Sequence, residues 1–308
     1  MSLNLYQELS ERYKTQEIEA EARSHREYDK DFAAWAAGCG VIKHTAATQL
    51  QVFELATTLL EAGLISSKAE CYRKLTALDQ LTNQAMWLVV HMTYAKHIYL
   101  DGRDLTADDF KRDPQGHTGG SLNMVPAYAA LLAVNSLTGQ HRDWLMGQGH
   151  CVAAIDAVQL LSGTALPERK KQYPLTDEGL SRFAQDFYNY RVRADGKPLS
   201  PLGSHVNVHT AGAKIEGGYL GFAGLQYVHQ PLPGERLVAF LSDGAFEEQR
   251  GTDWAARWWR GEDTGLIAPV MIANGRRIDQ RTTIAQQGGC SWFVSHLRNQ
   301  GFAPFVID

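Results

Sequence analysis

The sequence predicts an α/β fold: a parallel sheet with helices on both faces, preceded by a helical N-terminal segment. Three observations carry that reading. Apolar residues in the first hundred positions recur at helical spacing. After residue 114, short β-like runs alternate with helical stretches, the pattern of crossover connections between parallel strands. Two of those runs end on an acid or amide followed by glycine, as strand ends do when they open into a ligand cleft.

Taken in order, residues 5–30 are rich in Glu, Arg and Lys, which suits a solvated helix or an arm packed on another chain. Val52, Leu55, Ala56, Leu59 and Leu60 then fall on one helical stripe, and Gly63 supplies a stop. A largely apolar helix is expected from Leu75 to Leu100, ended by Asp101-Gly102. Residues 191–203, with two prolines and two glycines, read as a long loop. Further on, Leu237–Leu241 and Pro269–Ala273 read as strands, with Thr252–Arg260 as the crossover helix between them. Residues 290–300 read as a helix and Phe302–Ile307 as a last strand. The expected division is a helical segment over 1–70 and an α/β domain over 71–308.

Composition narrows the function classes. The chain has 308 residues, 44% hydrophobic and 21% charged, with a formal charge of −4. That balance gives no basic field for nucleic acid. Cys39, Cys71, Cys151 and Cys290 are far apart and contain no CxxC pair, so they read as reduced thiols rather than a disulfide or zinc framework. The charged start MSLNLYQELSERYK lacks a signal-peptide core, and no run reaches the length of a membrane span. A cytoplasmic protein without nucleic-acid or membrane partners is expected.

The stretch FLSDGAFEEQ places Asp243 at the carboxyl end of one strand, and IANGRR places Asn274 at the end of the next. One right-handed crossover makes such strands neighbours or near neighbours, so the two side chains are expected to converge. Carboxylate, amide and backbone carbonyl oxygens suit magnesium or calcium, and magnesium leaves positions open for phosphate oxygens. Gly244 lets a diphosphate approach the backbone at a helix start. Each motif alone is a common turn; together, at adjacent strand ends, they point to a cation and a phosphorylated ligand.

This pair resembles the thiamine diphosphate signature of the transketolase superfamily, in which Asp, Asn and a carbonyl two residues later hold magnesium on the cofactor. The resemblance assigns those roles to Asp243, Asn274 and the carbonyl of Arg276. Ser242 stands where the family usually has glycine. Three more segments agree: PQGHTGGSLNMVPAYAALLAVN (114–135), MGQGHCVAAIDAVQL (146–160) and SHVNVHTAGAKIEGGYLGFAGLQYV (204–228). The last is most similar to phosphoketolases, as is the closing QGFAPFVID. Ile215 and Tyr219 depart from that family's His and Glu around EGG, with His209 nearby.

The resemblance implies a thiamine diphosphate-binding fold of the diphosphate type, with thiamine diphosphate and Mg2+ as cofactors. His117, His150 and His205 become the catalytic candidates. Gly149, Gly218, Leu220, Asp243, Gly244, Ala245 and Asn274 become the cofactor contacts, with Glu247 and Glu248 supporting the metal or an interface. The implied reaction cleaves a ketose phosphate (xylulose 5-phosphate or fructose 6-phosphate) with phosphate as acceptor, giving acetyl phosphate and an aldose phosphate. The family's glutamate on the aminopyrimidine belongs to a second domain, so a pyrimidine-binding domain or subunit is the expected partner, in a homodimer or larger assembly. The chain is expected to be half a catalyst, inactive alone. Two alternatives remain: a subunit of a split transketolase-type enzyme, and a non-catalytic scaffold or regulatory domain.

Overall fold

The computed structural model describes residues 2–146, 151–189, 191–196, 199, 236–248, 266–277 and 280–307. Within these the protein is rich in helix, with a small parallel sheet. Two compact units are separable: Met1–Gln84 with Ala129–Gln140, and Ala85–Tyr128 with His141–Asp308.

The first unit is helical. It holds α1 (Ser2–Tyr28), α2 (Lys30–Ala36), α3 (Ala46–Glu61) and the first part of α4 (Lys68–Tyr94). The charged stretch is therefore a helix, as its composition allowed. Asp29 starts α2 by accepting from the Phe32 N–H at 3.0 Å, and Thr45 starts α3 by accepting from the Thr48 N–H at 3.2 Å. Each such cap stabilises its helix by about 1 kcal/mol. Gly63, at φ 67, ends α3 in the left-handed region that a side chain disfavours. The core gathers Phe32, Trp35, Ala56, Leu59, Cys71, Tyr72 and Leu137. Phe32 meets the Tyr72 ring edge-on at 5.2 Å. The buried face of α3 is narrower than its apolar stripe: Leu55 and Leu60 are exposed, while Gln49 is buried. Gln49 tolerates burial because its amide donates to the His44 carbonyl at 3.0 Å and accepts from Arg26.

α4 ends at Tyr94, six residues short of the expected Leu100. The apolar residues beyond it looked like more helix, but their backbone is taken elsewhere. Ala95 forms an antiparallel bridge with Phe110, the Lys96 N–H donates to the Asp109 carbonyl at 2.7 Å, and the Lys111 N–H donates to the Tyr94 carbonyl at 2.8 Å. The Asp109 carboxylate organises the turn, accepting from the Thr106 N–H at 2.8 Å, His97 at 2.8 Å and the Tyr99 hydroxyl at 3.1 Å. Those bonds, Thr106 first, hold its acid well below the usual carboxylate range.

The second unit contains the sheet, in the order β1 (Asp143–Met146), β2 (Arg236–Ser242), β3 (Leu266–Ile272), all parallel. Ser242 pairs with Ile272, so β2 and β3 end level. Side chains alternate across β2. Phe240 faces Tyr128 of α5 (Thr118–Thr138), with ring centroids 6.3 Å apart. Ala239 and Leu241 join the opposite cluster. That cluster includes Phe246 of α9 (Asp243–Glu248), Ile284 of α10 (Thr283–Gln287) and Phe293 of α11 (Cys290–Asn299). Before β2 come α6 (Val152–Leu161), buried over most of its length, α7 (Pro167–Gln172) and α8 (Asp177–Asp186).

The expected strand over Phe302–Ile307 is absent: these residues pair with no described strand. Phe305 and Ile307 are about nine-tenths exposed, and Pro304 has no N–H to give a ladder. An apolar run alone does not make a strand without an edge to pair with. The expected crossover helix Thr252–Arg260 lies outside the described residues. No described helix is long and apolar enough to cross a membrane.

Candidate active site at the strand ends

Where β2 turns into α9, Asp243 is only 2% exposed. Its Oδ1 accepts from the Gly244 N–H at 3.0 Å. Its Oδ2 accepts from the Gly275 N–H at 2.7 Å and from the Thr282 hydroxyl at 3.3 Å. Burial pushes this carboxyl above its ordinary range, and the Gly275, Gly244 and Thr282 donors work against that rise. No cationic side chain of the described residues pairs with it.

Asn274 follows β3 and is exposed, its Oδ1 accepting from the Arg276 N–H at 3.0 Å. That short ring turns the chain so that the Arg276 carbonyl comes up beside Gly244. A methyl group at 244 would stand 3.2 Å from that oxygen. Gly275 has φ 71, a backbone state that favours glycine, and its carbonyl accepts from the Thr282 N–H at 3.0 Å. The bond between Gly275 and Thr282 thus closes a clasp. It returns Thr282 to the strand end, where the hydroxyl donates to Asp243 and accepts from the Ala285 N–H at 3.2 Å, starting α10. Asp243, Gly244, the Arg276 carbonyl and Asn274 therefore lie at one place. Ala245 follows in α9.

Two further residues hold this place together. Glu247 accepts from the Ile284 N–H at 2.6 Å, and its other oxygen lies 3.5 Å from the Arg277 guanidinium. Its partners lie within the chain and join α9 to α10. Thr282 went unsingled in the sequence. Its only signal was a threonine before a helical stretch, which speaks of a cap and not of Asp243.

A second cluster sits at the starts of α5 and α6. His117 caps α5: its Nδ1 accepts from the Gly120 N–H at 3.0 Å. That bond leaves the ring proton of neutral His117 on Nε2. Burial pushes its pKa down, so the neutral ring dominates near pH 7. A Cβ on Gly120 would stand 2.8 Å from His117 Nδ1 and 3.1 Å from the Cys151 sulfur. The two helix starts therefore meet. Cys151 is fully buried, which pushes its thiol far up and keeps it neutral. Further along α6, Asp156 is buried with Oδ2 lacking a hydrogen-bond partner, and burial holds it protonated well above the carboxylate range, Arg169 opposing. Sequence reasoning passed over Asp156, which reads as one polar residue in an apolar helix.

His150, His205, Gly149, Gly218 and Leu220, with Ile215, Tyr219 and His209, lie outside the described residues. The described residues hold no group of three or more His, Cys, Asp or Glu placed to hold a metal ion.

Comparison with known proteins places the chain in a family. Residues 70–308 match the family described as the XFP N-terminal domain. A protein of Schizosaccharomyces pombe named "Probable phosphoketolase" is 28% identical over 233 residues, covering 72% of this chain and 26% of that protein. Proteins of the same name from Pseudomonas putida and Mycobacterium avium are 24% and 25% identical, each over 76% of this chain and 29% and 28% of their own lengths. The chain thus spans between a quarter and a third of the relatives it matches. On the family match, which covers most of the chain, it belongs to the N-terminal domains of the phosphoketolases.

Proposed function

We propose that this chain binds magnesium and thiamine diphosphate at the strand ends and acts within a phosphoketolase-type lyase. The observation that carries the proposal is the buried Asp243 carboxylate, supplied with neutral donors only, beside the Arg276 carbonyl and Asn274. The residues fit the group. Three hard oxygen ligands of one acid, one amide and one carbonyl suit a magnesium ion that keeps open positions for phosphate oxygens. The ion would offset the desolvation that now raises the Asp243 acid. Gly244 keeps the cradle clear, because any side chain there would press on the Arg276 carbonyl.

In this reading Asp243, Asn274 and the Arg276 carbonyl hold the metal, while Gly149, Gly218, Leu220, Gly244 and Ala245 line the cofactor. Thiamine diphosphate supplies, when bound, a nucleophilic carbon and a sink for the electron pair released on C–C cleavage. The protein's own part is positioning and proton movement. His117, fixed as a neutral ring by the Gly120 N–H, offers Nε2–H as a donor to a substrate carbonyl or hydroxyl. His150 and His205 would share that work. The substrate class is a ketose phosphate with inorganic phosphate as acceptor. A pyrimidine-binding domain or subunit would supply the acid at the far end of the cofactor, in a dimeric assembly with the full thiamine-enzyme fold.

Calorimetric titration of the chain with thiamine diphosphate in the presence and absence of magnesium tests the proposal. Binding should require magnesium and fall by about 10²-fold or more in Asp243→Ala. Magnesium-independent binding, or equal binding by the variant, would remove the strand-end assignment.

A further inference from the structure

Away from the strand ends, the second unit has a cavity of about 300 Å³. It is lined by Lys96, Lys111 and Arg112, with Phe187 and Tyr188 as its aromatic side and Asp113 as its one carboxylate. No residue of the strand-end site lines it. Three cations lining one cavity repel one another unless something negative lies between them. Yet no described carboxylate pairs with Lys96, Lys111 or Arg112. Asp113 is exposed and accepts from Gln115 at 3.3 Å.

Lys111 is the most informative of the three. Its Nζ donates to the Met92 carbonyl at 2.6 Å, and it lies 5.7 Å from the Phe187 ring centroid. One carbonyl uses one of three ammonium protons. Burial, with no anion to oppose it, lowers the amine to about 8. Tyr188 on the same wall holds φ 59, a backbone state uncommon for a residue with a side chain.

We propose that this cavity is an anion site, with Lys96, Lys111 and Arg112 arranged around a phosphate group carried as inorganic phosphate or as a small phosphate monoester. A dianion answers three cations in a way that a single carboxylate does not. Arginine supplies a planar fork for two phosphate oxygens, and each lysine a point charge. Phe187 and Tyr188 give the carbon part of a monoester an apolar wall. The site also touches the stretch that carries His117. Residues 111–115 run directly into Gly116, at φ 125, where a Cβ would stand 2.9 Å from the Phe187 ring. Filling the cavity thus braces the approach to His117.

The test is calorimetric titration of the chain with inorganic phosphate, glycerol 3-phosphate and acetate, without magnesium or thiamine diphosphate. Saturable one-site phosphate binding is expected, weakened at least tenfold in Lys111→Met and in Arg112→Gln, and unchanged in Asp243→Ala. Arg112 is exposed, so its variant reports even if Lys111→Met fails to fold. Tighter binding of glycerol 3-phosphate than of phosphate identifies a monoester site. Equal binding identifies a site for the free ion. An NMR titration of the Lys111 amine should show its pKa rising on phosphate addition. Absence of saturable binding, wild-type affinity in both cavity variants, loss of binding in Asp243→Ala, or equal competition by acetate would each overturn the assignment. Because the strand-end reading is tested with magnesium and cofactor, either can fail while the other stands.

Discussion

Two buried acids, one from each unit, are treated differently: Asp79 and Asp243. In the helical unit, Asp79 meets His44 Nε2 at 2.8 Å, with both side chains about one-tenth exposed. Its neighbour Gln49 is likewise satisfied inside the unit. In the sheet unit, Asp243 is buried at least as deeply and receives only two backbone N–H groups and a hydroxyl. The first acid closes a structural account within the fold. The second is held in place by neutral donors while its charge stays unanswered, and the fold alone gives no reason for that. A pair with a side-chain partner reads as architecture, and an acid oriented by donors at a strand end reads as a site for a cation.

Substitutions can break this comparison. The largest effect should be Asp243→Ala on magnesium-dependent cofactor affinity, a loss of about 10²-fold or more with little change in melting temperature. Asp79→Ala should do the reverse. Removing one partner of a buried hydrogen bond costs about 1–3 kcal/mol, read as a shift in urea midpoint, with cofactor affinity unchanged. If both variants lose stability and neither loses affinity, the distinction between the two acids collapses.

His117 gives the next effect. His117→Ala should lower turnover of the assembled enzyme by about 10²-fold. It should also destabilise the chain by about 1 kcal/mol through loss of the α5 cap. His117→Asn puts a capping oxygen in place of the ring nitrogen, so it should recover the stability and not the turnover. Recovery of both would reduce His117 to a helix cap.

Thr282 sharpens the picture of how Asp243 is aimed. Thr282→Val removes a donor to Asp243 and the α10 cap together. A loss of about 1 kcal/mol is expected, with a several-fold weaker cofactor affinity, and Thr282→Ser should restore both. Affinity unchanged in the valine variant would show that Gly275 and Gly244 orient the carboxylate without help.

A separate test, independent of the strand-end site, concerns Asp156. Its folded-state acid is raised, so above the unfolded value near 3.8 the unfolded chain gives up a proton that the folded chain keeps. Stability therefore falls as pH rises through that window, at up to about 1.4 kcal/mol per unit. Asp156→Asn removes this dependence. Urea melts from pH 4 to 7 should show the variant gaining on the wild type as pH rises, and parallel curves would mean that Asp156 is ionised in the fold.

Local chemistry was legible in the sequence where it had a local cause. Strands β2 and β3 announced themselves as apolar runs closed by Asp-Gly and Asn-Gly, and their parallel adjacency followed from the spacing. The convergence of Asp243, Gly244 and Asn274 came from the same signal, and the Arg276 carbonyl from the family resemblance. Contacts made by chain return did not show. Thr282 reaches Asp243 only because the Gly275 carbonyl draws the chain back, and Glu247 finds Ile284 across the same clasp. The end of α4 was hidden for a similar reason: nothing near Leu100 reveals that Phe110 claims the backbone at Ala95. At Phe302–Ile307 the sequence supplied apolar character, and no described strand lies alongside to pair with it.

Gly120 has a consequence beyond its own turn. With no side chain, it leaves less than the width of one methyl between His117 and Cys151. The first turns of α5 and α6 therefore work as a ruler whose single graduation is set by an absent atom. The position of His117 on one helix is gauged against Cys151 on the other with little slack. An alanine here would have to push His117 or Cys151 aside, so the two helix starts could no longer keep their present spacing.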